Sequence, residues 1–143
     1  MANKNLIINS DMMLEQKVLA LLGCIAQEHK AEMERLINPM KLSLLQLNIL
    51  HTLDKSPNGS LTVNQLKSAM FDQNPNVSRT LNKLVENDLI IKERSSEDQR
   101  TVFISITQSG RKAHRAADKE LLTFSSGLSG RDLEQLYSLL LKL

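Results

Sequence analysis

Four polar residues at helical spacing, Asn76, Arg79, Asn82 and Lys83, are the first candidates for chemistry in this chain. Asn and Arg carry paired hydrogen-bonding groups that match base edges two at a time, while Lys and Arg neutralise phosphates. On a helical wheel they lie opposite Val77, Leu81, Leu84 and Val85, so one face packs inward and the other is free to meet a groove. Glu86 shares the polar face near its end, and a merely solvated face of an ordinary helix has the same composition. A second set follows closely: Arg94 and Arg100 bracket Glu97 and Asp98 in a short polar connection. An arginine on a thin loop can enter a minor groove, and an aspartate two positions before it can hold its guanidinium or brace the loop. A charged loop tip with no partner would contain the same residues.

Other chemistries find less support. Catalysis needs a nucleophile, a base and an orienting group, or a metal. The chain has no glycine-rich phosphate loop, no Gly-x-Ser-x-Gly and no pair of histidines four residues apart, so neither an enzyme nor a cofactor is expected. The lone cysteine excludes an intrachain disulfide and a cysteine-based zinc site. Cys24 stands among Leu21, Leu22 and Ile25 in mid-helix and reads as a small buried hydrophobe rather than a redox sensor. Cys24, Glu28 and His29 could approach a metal, but His51 and His114 read as isolated and no metal site is expected.

The elements that position these residues follow from periodicity and caps. Residues 11–38 repeat apolar side chains every three or four positions, with Asp11 suited to cap the start and Pro39 to end the helix. Ser43 to Gln46 and Thr62 to Gln65 both fit the capping box and open short helices, separated by the turn-rich stretch from Lys55 to Ser60. Asn74-Pro75 suits the start of a third short helix, running to about Asn87. The pattern changes at Leu89 to Glu93 and again at Thr101 to Ile106, where Val102, Ile104 and Ile106 alternate with Thr101, Phe103 and Ser105 as in a strand, and a hairpin tip joins the two segments. Thr107 and Ser129 cap two closing helices, the last carrying Leu133, Leu136, Tyr137, Leu140 and Leu141. Two short helices followed by a hairpin form a winged helix-turn-helix, whose second helix can enter a major groove.

The 143 residues, 41% hydrophobic and 24% charged, suit one compact domain with a helical extension, and only 3% are aromatic, which favours a Leu-rich helical core. The net charge of +2 names no partner by itself, but residues 61–115 hold nine Lys/Arg against six Asp/Glu, so the excess sits where phosphates would bind. No apolar run approaches the roughly 20 residues of a membrane span, and no secretory leader is evident, so a cytoplasmic protein without a membrane partner is expected.

A helix-turn-helix followed by Leu89-Ile90, Arg94, Asp98-Gln99-Arg100, Ile106-Thr107 and Gly110 resembles the MarR family of bacterial transcription regulators, with a wing of the form Asp-x-Arg before an apolar strand ending in Ile-Thr-x-x-Gly. Val77-Ser78-Arg79, Leu61-Thr62 and Gly127-Leu128-Ser129 extend the match over residues 11–143. The resemblance implies a mainly α fold with a small β wing, in which 1–38 and 108–143 form a helical dimerisation region around a winged helix-turn-helix lobe at 39–107. It implies a homodimeric repressor on double-stranded DNA with a pseudo-palindromic operator. Asn76, Ser78, Arg79, Asn82 and Lys83 would then meet the major groove or its backbone; Arg94 and Arg100 would lie on the wing, Arg100 in the minor groove, with Asp98 bracing Arg100 or a neighbouring basic residue. Asn74-Pro75-Asn76 departs from the more usual Lys/Ser/Thr opening and leaves base preference open. Release by a small phenolic or other effector is a further implication, in a crevice involving His29, Met33 and His51. The competing reading is a winged helix that binds protein and not DNA.

Overall fold

The computed structural model describes residues 4–70 and 76–143. A short helix α1 (Lys4–Ile8) precedes the long helix α2 (Leu14–Ile37). Lys4 pairs with Glu28, and Lys17 Nζ donates to the Ile8 carbonyl at 3.0 Å, so α1 folds back along α2. Asp11 does not cap α2: the cap falls two residues later, where the Met13 N–H donates to Gln16 Oε1 at 3.3 Å. Pro39 ends it as expected, within a single 3-10 turn at Asn38–Met40 that closes on Lys41 in the left-handed region (φ 55°).

Helices α3 (Leu44–Lys55) and α4 (Val63–Ala69) begin at the two capping boxes. Ser43 Oγ accepts from the Gln46 N–H at 3.2 Å while Gln46 Oε1 accepts from the Ser43 N–H at 2.8 Å; Thr62 and Gln65 repeat the exchange. Each reciprocal pair satisfies two backbone donors that a helix start leaves open. Helix α5 (Val77–Glu86) follows the segment containing Asn74 and Pro75, which lies outside the described residues. Its apolar face buries Val77, Leu81 and Leu84 in the same core cluster as Leu50, Leu53 and Leu66. Burying a side chain of this size contributes about 1.5–3 kcal/mol.

The hairpin consists of β2 (Ile90–Arg94) and β3 (Val102–Ile106), paired from Ile90 opposite Ile106 to Arg94 opposite Val102. A strand not expected from the sequence, β1 (Ser60–Thr62), pairs antiparallel with the other edge of β3, giving the order β1-β3-β2. Ser105 Oγ donates to Ser60 Oγ across that new edge at 2.8 Å. Ser60, the last residue of the expected turn region, thus becomes sheet, and Thr62 ends the strand and caps α4 at once.

Helix α6 (Gln108–Leu121) leaves the sheet at Thr107, and α7 (Gly130–Leu140) begins at Ser129, both capped as expected. Thr107 Oγ1 accepts from the Gly110 N–H at 2.9 Å and donates to the Asp88 carbonyl at 2.7 Å, tying the end of α5 to the start of α6. Helix α7 buries no residue, and Leu133, Leu136, Leu139, Leu140 and Leu141 are exposed, as are Leu14, Val18, Leu19 and Ile25 of α2. Among the described residues no helix is long and apolar enough to cross a membrane.

Candidate nucleic-acid interface

On α5, Ser78, Arg79, Asn82 and Lys83 are exposed, with Asn76 at the N-cap and Glu86 on the last turn. The helix is anchored from behind, because its buried residues belong to the common core and Thr80 Oγ1 donates to the Asn76 carbonyl at 3.0 Å. Its end is fixed as well. Asp88 adopts the left-handed region (φ 56°), and the Leu89 N–H returns to the Leu84 carbonyl at 2.9 Å, which turns the chain directly into β2. The outward face is therefore held at a set angle to the wing.

One bond joins helix to wing through their polar faces. Lys92 Nζ on β2 donates to Asn82 Oδ1 at 2.6 Å. This uses one lone pair of the Asn82 carbonyl oxygen, and the NH2 group of the same carboxamide retains its two donors. Sequence periodicity could place Asn82 on the outer face, but could not show that Lys92 from the next element would meet it.

The wing tip is organised around Asp98. Its Oδ1 accepts from the Arg100 N–H at 3.0 Å, and its Oδ2 from the Thr101 hydroxyl at 2.9 Å. The first of these bonds, then the second, holds the Asp98 carboxyl below its usual pKa. Both bonds stay within the loop, to the Arg100 backbone and to Thr101, and the Arg100 side chain is exposed at the tip. Ser95 Oγ accepts from the Glu97 and Asp98 N–H groups at 3.2 Å each, and Arg94 Nη1 donates to the Gln99 carbonyl at 3.2 Å. Arg94 thus spans the base of the loop that carries Arg100.

The three residues expected at an effector crevice fall in two surroundings. His29 is exposed on α2 and meets Phe124 edge-on, with ring centroids 4.6 Å apart, and Met33 lies one turn further along the same helix, half-buried. His51, on α3, faces α6 instead. Its Nδ1 lies 3.0 Å from His114 Nε2, which corrects the expectation that these two histidines are isolated. Sixty-three positions separate them in the chain, so spacing carried no signal of the contact.

His114 is the centre of a compact polar network. It is 2% exposed, its Nδ1 donates to Asp54 Oδ2 at 2.9 Å, and its Nε2 also lies 3.0 Å from Asp118 Oδ2 one turn along α6. Arg111 pairs with the other Asp54 oxygen. Burial alone would raise the Asp54 carboxyl, but the hydrogen bond from His114 and the nearby charge of Arg111 outweigh it and hold the group below its usual pKa. Cys24 is buried, and Glu28 is engaged by Lys4.

Residues 31–116 match the family model described as "Transcriptional regulator SarA/Rot". Among solved structures, a putative MarR-like transcription regulator from Bacillus cereus ATCC 10987 superposes with a TM-score of 0.83 at 17% identity, covering 92% of this chain and 96% of that one. Sco3205 from Streptomyces coelicolor, a MarR family transcriptional regulator solved in complex with DNA, has a TM-score of 0.71 at 16% identity and covers 92% and 87%. BpsR from Bordetella bronchiseptica, whose DNA binding is regulated by 6-hydroxynicotinic acid, has a TM-score of 0.72 at 22% identity and covers 93% and 96%. At these identities the three likenesses show a shared fold.

Proposed function

The chain belongs to the SarA/Rot family of transcriptional regulators, and from that premise we propose that it binds double-stranded DNA as a homodimer and represses transcription at a pseudo-palindromic operator. The observation that carries this reading is the continuous polar face formed by Arg79, Asn82 and Lys83 on α5, joined through Lys92 to a wing whose Arg100 side chain is exposed. Helix α5 would lie in the major groove, with Asn76, Ser78, Arg79, Asn82 and Lys83 against base edges and backbone, and Arg100 would enter the adjacent minor groove. Arg94 and Asp98 would serve by shaping the tip.

Dimerisation supplies the second half-site. Residues 1–38 and 108–143 would form the dimerisation region and 39–107 the DNA-binding lobe, which accounts for an α7 that buries nothing within its own chain. A two-fold pair would set its recognition helices about 34–36 Å apart, on successive major-groove faces. Binding to DNA from upstream of the protein's own gene, followed by fluorescence anisotropy over a salt series, tests the reading. Affinity should fall on the order of a thousandfold between about 50 and 200 mM salt if several phosphates per dimer are neutralised. A salt-insensitive complex, or none, would leave the protein-binding alternative.

A small aromatic acid is a suitable effector. Phe124 offers a ring to stack on, His29 a hydrogen-bonding edge and Met33 an adaptable apolar wall. Phenolic carboxylates should raise the melting temperature and release DNA, and the His29→Ala variant should lose both responses.

A further inference from the structure

We propose that His51, His114 and Asp118 form a binding site for a divalent transition-metal ion of the zinc class at the contact between α3 and α6. The ligand atoms His51 Nδ1, His114 Nε2 and one Asp118 carboxylate oxygen all lie within 4.8 Å of one another. His114 Nε2 is 3.0 Å from each of the other two. Zinc bonds of about 2.0–2.2 Å to nitrogen and oxygen, arranged tetrahedrally, put ligand atoms about 3.3 Å apart, so small side-chain adjustments convert the present cluster into a coordination shell.

The hydrogen-bond inventory of His114 points the same way. Asp54 accepts from Nδ1, so in the neutral imidazole Nε2 carries the lone pair. That lone pair faces an Asp118 carboxylate oxygen, which is also an acceptor. His51 can donate a proton to Nε2, but this leaves the Asp118 oxygen opposed to acceptors. A cation at the centre satisfies all three atoms together. The rival occupant of the space is a second proton on His114, shared with Asp118.

The surroundings have the build of a metal site. Asp54 holds the ring of His114 in the tautomer that presents Nε2, and Arg111 holds Asp54 in turn. Such carboxylate-to-histidine bonds orient the ligand and raise its basicity. Arg111 also offsets the charge of Asp54, so Asp118 supplies the negative charge next to the ion. His114 is buried, while His51 is exposed and the Asp118 side chain is 41% exposed, which leaves an entry path and open positions for water. Bound there, the ion would cross-link α3 of the winged lobe to α6, and this does not depend on how the protein binds DNA.

The test uses the full chain without a histidine tag. Zinc uptake is measured by competition with a chromogenic chelator, and Co2+ is added separately as a spectroscopic probe. The wild type should take up one ion per chain, with a nitrogen- and oxygen-coordinated cobalt spectrum free of thiolate charge transfer. His51→Ala and Asp118→Ala alter accessible side chains and should each weaken uptake at least tenfold with unchanged circular dichroism. Asp54→Asn, a positioning change, should weaken it about 10- to 100-fold. No uptake by the folded wild type would assign the space to a proton and overturn the proposal. So would equal uptake by the His51 and Asp118 variants, or a thiolate band from Cys24.

Discussion

At the scale of single residues, Arg79 and Arg100 would have different tasks in the proposed DNA complex. Arg79 projects from the first turn of α5, where a base edge would be read, and Arg100 from the wing tip, where groove width and phosphate potential would dominate. Arg79→Ala should cost about 1–3 kcal/mol on the operator and relax discrimination at one base position. Arg100→Ala should lower affinity for operator and unrelated DNA alike. If both variants bound the operator as the parent does, the assigned face would be wrong. Asp98 adds a pH dependence with a definite sign. Its folded pKa lies below the ordinary value, through the bond from the Arg100 N–H first and the Thr101 hydroxyl second. Bracing of the tip is therefore complete above the unfolded-state pKa, about 3.9, and is lost as pH falls through the lower folded value. In an NMR titration the Arg100 amide should shift with a midpoint below that of a free aspartate; an ordinary midpoint would mean that these bonds do not persist in solution.

At the scale of elements, the passage from wing to α6 is a close join. A Cβ added at Gly110 would lie 2.1 Å from the Leu89 carbonyl oxygen and 2.8 Å from Ile106 Cγ1. The first of these is backbone and cannot swing away, so Gly110→Ala should destabilise the fold by about 1–3 kcal/mol, visible as a lower urea midpoint. Caps were the most legible features in the sequence, because a capping box is local: Ser43 with Gln46 and Thr62 with Gln65 needed no tertiary information. The same holds for the hairpin and for Thr107 and Ser129. Strand β1 was not legible, since three residues are too few to display an alternation, and Leu61-Thr62 was already accounted for as a helix start. Asp11 misled for a related reason. It has the right chemistry for a cap, yet Gln16 reaching back to Met13 satisfies the first turn of α2 instead. On the interface, the outer face of α5 was readable from its wheel, whereas the Lys92 to Asn82 bond and the His51 to His114 contact depend on elements meeting in space.

At the scale of the whole molecule, the exposed leucines of α7 and the N-terminal half of α2 are the largest departure from a self-sufficient domain. In the proposed dimer these apolar residues would be covered by the partner. The double variant Leu133→Glu and Leu140→Glu should sediment as a monomer, keep the helical circular dichroism of the winged lobe, and lose tight binding to a two-half-site operator. Persistence of a dimer would place the interface elsewhere. The strand order β1-β3-β2 has a kinetic consequence. Strands β2 and β3 are neighbours in sequence and can zip together early, but Ser60 and Ser105 meet only across 45 positions that include α4 and α5. Closing so long a loop has an entropic cost that nearby contacts must offset first. Strand β1 therefore docks late, after the helices it encloses have condensed. Its backbone amides should be among the first of the sheet to exchange with solvent, and the seam beside β3 becomes the place where the lobe begins to come apart.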